Sequence, residues 1–101
     1  MKTQEGKLKD AVGHYLKSIG ALPFMPVQTG FGSHALDFIV CWRGQYIEIE
    51  TKVLPRKPTG RQLQRIKDVR AHGGYAFVAY DLKTVKDFFE CGTIPKRNAD
   101  V

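Results

Sequence analysis

Residues 36–53 read LDFIVCWRGQYIEIETKV. Two runs rich in β-branched and aromatic residues, Leu36 to Trp42 and Gln45 to Val53, flank the dipeptide Arg43-Gly44. This is the pattern of a β-hairpin closed by a tight turn. With a two-residue turn, Trp42 faces Gln45 and Asp37 faces Glu50. Opposed residues on one face have Cβ atoms about 4.5–5.5 Å apart, so two carboxylates meet there. Lys52, two residues beyond Glu50, points to the same side. The opposite face carries Phe38, Val40 and Trp42 against Ile49 and Ile47, an apolar set suited to a core. A three-residue loop with a bulge would slip the pairing by one and mix the two faces.

Upstream, Leu8, Ala11, Val12, Tyr15, Leu16 and Ile19 mark one face of an amphipathic helix over Gln4 to Ile19, with Gly20 as its C-terminal cap. Leu22 to Val27 reads as an edge or irregular strand, because Pro23 and Pro26 cannot donate to a ladder. Gln28 to Ala35, with Gly30 and Gly32, reads as a mobile loop. Downstream, Leu54-Pro55-Arg56-Lys57-Pro58 is a basic linker. A helix follows from Thr59 to about His72 with Leu63, Ile66 and Val69 inward, and Gly73-Gly74 stops it. Tyr75 to Tyr80 reads as a buried strand. Asp81 caps a last helix with Val85, Phe88 and Phe89 inward. The order αβββαβα predicts an α/β fold, a mixed central β-sheet flanked by helices. The crossover from the third strand to the Tyr75 strand is expected to be parallel and right-handed.

The chain has 101 residues, enough for one domain, expected over residues 1–92 with 93–101 as a flexible tail. A domain of this size carries little spare stability, which pairing of two chains would help. Sixteen Lys and Arg against ten Asp and Glu give a formal charge of +6, which favours an anionic partner such as nucleic acid. Cys41 and Cys91 lack paired spacing, so neither a disulfide framework nor a zinc site is expected, and Cys41 reads as a small core residue. His14, His34 and His72 are scattered. With no signal peptide and no long apolar run, a cytoplasmic protein without a membrane partner is expected.

Two like charges opposed on a sheet repel. Lys52 offsets part of this. A divalent cation would do it better, and carboxylate oxygens suit Mg²⁺ or Mn²⁺. A plainer reading makes Asp37 a strand-start residue and Glu48, Glu50 and Lys52 a solvated polar face, with Glu48, opposite Ile39, a mere neighbour of the pair.

Asp37 followed by Ile49-Glu50-Thr51-Lys52 resembles the Asp…Glu-x-Lys motif of the restriction-endonuclease-like nuclease superfamily, PD-(D/E)XK. The chain is most similar to its virus-type replication-repair nuclease (VRR-NUC) domains. The likeness runs over roughly residues 4 to 90, and CWRGQYIEIETKVLPRKPTGRQLQRIKDVRAHGGYAFV, residues 41–78, carries most of it. The resemblance implies a restriction-endonuclease-like core. It implies metal ligation by Asp37, Glu50 and the main-chain carbonyl of Thr51, with Glu5 able to complete the shell. It makes Lys52 the catalytic lysine and sets Gln62 beside the site. Gln62 reads equally well as part of a capping box with Thr59, and Glu5 as a first-turn acid favoured by the helix dipole. The family commonly has Gly three residues before the aspartate and Pro directly before it; His34 and Leu36 stand there here, so the loop entering the strand must differ.

Arg56, Lys57, Arg61 and Arg65 cluster after the catalytic strand as candidate phosphate contacts. His34 reads either as a further phosphate contact or as a solvated loop histidine. The resemblance further implies metal-dependent DNA cleavage on branched substrates such as four-way (Holliday) junctions, a homodimer, DNA repair, and a phage or bacterial setting. Two other readings use the same residues: a DNA-binding module of a replication or repair complex that does not cut, and an RNA-associated structural protein. The lack of an aromatic stacking motif on a strand weighs against the last.

Overall fold

The computed structural model describes residues 2–27 and 34–94. Seven elements follow in the order α1 (Gln4–Ser18), β1 (Leu22–Phe24), β2 (Phe38–Trp42), β3 (Gln45–Thr51), α2 (Gly60–Ala71), β4 (Tyr75–Ala79) and α3 (Leu82–Cys91). This is the expected αβββαβα order.

The hairpin forms on the expected register, from Trp42 opposite Gln45 to Phe38 opposite Ile49. Its turn requires positive φ at both central residues: Arg43 has φ 51° and Gly44 φ 76°, the geometry of a two-residue turn that matches strand twist. Strand order is β1-β2-β3-β4. The first two pairings are antiparallel, and β3 pairs with β4 in parallel.

The sheet divides two cores. On one face Phe38, Val40, Ile47, Ile49 and Phe77 pack with Val12 and Leu16 of α1 and with Val85, Phe88 and Phe89 of α3. On the other face Ala76 and Val78 pack with Leu36 and with Ile66 and Val69 of α2. The helix starts are capped by side chains. Thr3 accepts from Gly6, Thr59 from Gln62 and Asp81 from Thr84, and the Thr59–Gln62 capping box is complete.

Several local expectations change. β1 is three residues long rather than Leu22 to Val27, an edge strand that accommodates Pro23 and ends before Pro26. β2 begins at Phe38, not Leu36, because the Leu36 amide bonds the Glu48 side chain instead of a strand. β3 ends at Thr51, before Val53. Cys41 is exposed rather than buried. It shares its side of the sheet with its partners Leu22 and Tyr46, both exposed. Residues 28–33 of the expected Gln28 to Ala35 loop, and 95–101 of the expected tail, lie outside the described residues. Among the described residues no helix is long and apolar enough to cross a membrane.

Gly74 closes the α2–β4 junction against β3. A Cβ there would lie 2.8 Å from Val69 Cγ1 and 3.2 Å from the Tyr46 carbonyl oxygen. Gly74→Ala is expected to lower stability by about 1–3 kcal/mol in urea unfolding. Gly60→Ala, which meets nothing within 4 Å at the start of α2, should raise stability by about 0.4–1 kcal/mol. Equal effects at the two positions would rule out this packing.

Candidate active site

Alternation along β3 turns Glu48, Glu50 and Lys52 to the α2 side of the sheet. All three are buried: Glu48 is 0%, Glu50 4% and Lys52 4% exposed. The plainer reading of a solvated polar face therefore does not hold. Uncompensated charge is expensive to bury, so the partners of each group decide what it can do.

Asp37 sits just before β2. Its Oδ2 accepts hydrogen bonds from the Thr51 backbone N–H at 3.0 Å and the Thr51 hydroxyl at 2.7 Å. Its Oδ1 lies 3.6 Å from Lys9 Nζ. Glu50 Oε2 accepts from Gln62 Nε2 at 2.9 Å and lies 3.7 Å from Lys52 Nζ. Burial pushes the Glu50 carboxyl up to about 7, and the neighbouring Asp37 charge adds to this; Lys52 and Lys9 pull the other way. The folded chain thus holds two acids side by side, each faced by one lysine, in a place dry enough to raise Glu50. The two open alternatives for Gln62 turn out to be compatible. Its Oε1 accepts from the Thr59 N–H at 2.9 Å while its Nε2 holds Glu50.

Glu48 is a different kind of acid. Its Oε1 accepts from the Leu36 N–H and from Arg65 Nε, each at 3.0 Å. Its Oε2 accepts from Arg65 Nη2 at 2.5 Å and from the Tyr46 hydroxyl. Burial alone would raise its pKa, but the bonds from Arg65, Tyr46 and Leu36 outweigh it and hold the carboxyl below the ordinary range. Arg65, expected among the phosphate contacts, is half-buried on Glu48 and also lines the cleft that holds Asp37 and Arg61.

The other expected phosphate contacts, Arg56, Lys57 and Arg61, are all exposed. Arg61 Nη1 lies 2.8 Å from His34 Nδ1. A guanidinium only donates, so Nδ1 is the acceptor. His34, Asp37, Arg61 and Gln62 line a cleft of about 250 Å³. A larger one, about 710 Å³, lies at the far end of α2 by Gly44, His72 and Gly74. It holds neither Asp37 nor Glu50, so size is no guide here. Glu5 lies at the rim, 3.9 Å from Lys9 Nζ and 3.8 Å from Arg56 Nη1.

Lys9 was missed from sequence. The available signal was its place four residues after Glu5 on one helix face; what hid it was the docking of α1, which brings that face to Asp37. The oxygens of Asp37 and Glu50 are hard donors close enough to repel each other, which is chemistry a divalent cation suits.

Neither a protein-family model nor a curated protein matches the chain. A solved structure described as "VRR_NUC domain" superposes on it with a TM-score of 0.77 at 26% sequence identity, covering 91% of this chain and 100% of that one. The four-stranded mixed sheet with its three helices is the restriction-endonuclease-like fold expected from the Asp37…Glu50-Thr51-Lys52 pattern.

Glu50 makes stability depend on pH. Its ordinary value is 4.5 and its folded value about 7, so between these the folded chain binds more protons than the unfolded one. Stability from this group is present in full below about 4.5 and is lost as pH rises to about 7. Glutamine imitates the protonated form at every pH. In EDTA, Glu50→Gln should reduce the stability loss between pH 5 and pH 8 by roughly 1–3 kcal/mol relative to the parent chain, measured by urea unfolding. An unchanged loss would mean that another group titrates.

Proposed function

We propose that this chain, a VRR-NUC-like domain by fold and by end-to-end likeness to a solved one, is a metal-dependent nuclease that hydrolyses DNA phosphodiester bonds. The observation that carries the reading is the buried Glu50 carboxylate beside Asp37, with the buried Lys52 ammonium 3.7 Å away. An acid pair and a lysine in so dry a place oppose stability, and such groups cluster where chemistry needs them.

Asp37, Glu50 and the main-chain carbonyl of Thr51 would hold Mg²⁺ or Mn²⁺, with Glu5 at the rim able to contribute. The bound cation would polarise a phosphate oxygen and make water a better nucleophile. Lys52 donates hydrogen bonds toward the scissile phosphate and offsets charge that grows in the transition state. Gln62 keeps Glu50 from turning away. Thr51 does the same for Asp37 through its N–H and hydroxyl. Lys9 balances Asp37 from the α1 side. Water attacks phosphorus in line, the bond to the 3′ oxygen breaks, and that oxygen takes up a proton, leaving a 3′-hydroxyl and a 5′-phosphate.

Arg61, Arg65 and His34 line the cleft, and with the exposed Arg56 and Lys57 they would contact backbone phosphates. Such contacts position a duplex without reading its bases, so selection by shape fits this surface. Branched DNA such as four-way junctions, cut by a homodimer, is the arrangement we put to the test.

The test is cleavage of end-labelled duplex and four-way junction with Mg²⁺, Mn²⁺ or EDTA. Cutting should require metal. Lys52→Ala should lower kcat at least about a hundredfold, and Lys83→Ala, on the exposed side of α3, should cut like the parent. Removing Arg56 and Lys57 should flatten the salt dependence of DNA binding by about one unit of slope each. Tight binding without cutting under every metal would sink the nuclease reading and leave a DNA-binding module.

A further inference from the structure

The buried Glu48 carboxylate takes no part in the chemistry above. It is 0% exposed, lies beneath Arg65 and has no route to a substrate. Yet an acceptor is required at its place. The β2 ladder starts at Phe38, so the amide of Leu36, a residue 1% exposed, does not find its partner in that ladder. An unbonded N–H in so dry a place is costly, and Glu48 Oε1 accepts from it at 3.0 Å. Leu36 directly precedes Asp37.

Asp37 is thus held from several sides, with its own backbone N–H on the Glu50 carboxylate and Lys9 of α1 facing one carboxylate oxygen. Its main chain is fixed next door, where Leu36 meets Glu48, and its carboxylate is fixed by Thr51. Glu48 in turn cannot swing, because the Arg65 guanidinium grips both of its oxygens and the Tyr46 hydroxyl donates to one. We propose that Glu48 is a positioning residue: by tying the Leu36 amide to β3 it aims the Asp37 carboxylate at Glu50, with Arg65 and Tyr46 as its supports. The inference rests on the nuclease reading for what Asp37 does, but not for how Asp37 is held.

Native-state hydrogen exchange on the whole chain tests the tie without reference to activity. In the parent chain the Leu36 and Thr51 amides should both exchange slowly, at least about a hundredfold below loop amides. Fast exchange at Leu36 would overturn the proposal without any variant. The double variant Glu48→Met, Arg65→Met replaces the buried pair by apolar side chains of similar length, an exchange that often leaves stability intact. In it the Thr51 amide should lose protection at least about tenfold while Ile49, deeper in β3, keeps its own. The Mn²⁺ concentration giving half of the metal-induced rise in Tm should increase about 10–100-fold, and KM for DNA should hold while kcat falls. A folded double variant with parental Thr51 protection and parental Mn²⁺ response would make Glu48 a purely structural residue. If the double variant does not fold, exchange at Leu36 in the parent chain decides. A parent chain that shows the Leu36 and Thr51 protection but never cuts DNA would refute the nuclease reading alone.

Discussion

The two positive φ angles at Arg43 and Gly44 set the geometry on which everything else depends. They allow a turn of two residues, the turn sets the register, and the register brings Asp37 to the end of β3 where Glu50 and Lys52 leave the ladder. One inserted residue would send Glu48, Glu50 and Lys52 to the α1 side and Ile47 and Ile49 to the α2 side. The topology does the rest. β4 runs parallel to β3, so the connecting helix must return along the sheet and begin where β3 ends. Gln62 and Arg61, in the first turn of α2, arrive at the acids for that reason.

β3 carries two glutamates two residues apart on one face, and their surroundings give them opposite characters. Glu48 meets a guanidinium fork, a tyrosine and a backbone amide, and its charge is matched. Glu50 meets the Gln62 amide, the Asp37 backbone N–H, a lysine at 3.7 Å and a second acid, and burial with that acid outweighs what the others supply. Desolvation acts on both; the difference lies in the number and sign of the groups that face them. A matched buried acid builds structure, whereas one raised by burial and a like charge favours added positive charge.

Much of this was legible in the sequence. The hairpin, the capped helices and the parallel crossover follow from signals that act within a few residues: Arg43-Gly44, Thr59 with Gln62, Asp81, and the 3.6-residue and two-residue periods. What escaped depends on contacts between distant segments. Glu48 read as a bystander because a charged residue on an alternating strand ordinarily faces water, and only the docking of α2 brings Arg65 over it. Lys9 needed the docking of α1. Cys41 was misread because the run Phe38 to Trp42 is apolar at nearly every position and conceals which side each residue takes.

Gln62 has a further consequence. Its side chain is shared, one end closing the first turn of α2 and the other holding Glu50. Farther along the helix, Arg65 is tied to Glu48 and Arg70 to the Ala76 carbonyl. The inner side of α2 is therefore bolted to the sheet at three places, while its outward residues Arg61, Gln64 and Lys67 are exposed. Such a helix separates two evolutionary tasks. Its outer surface can be rewritten residue by residue while the acids stay where they are, so a lineage could change what this face meets without disturbing the acid pair.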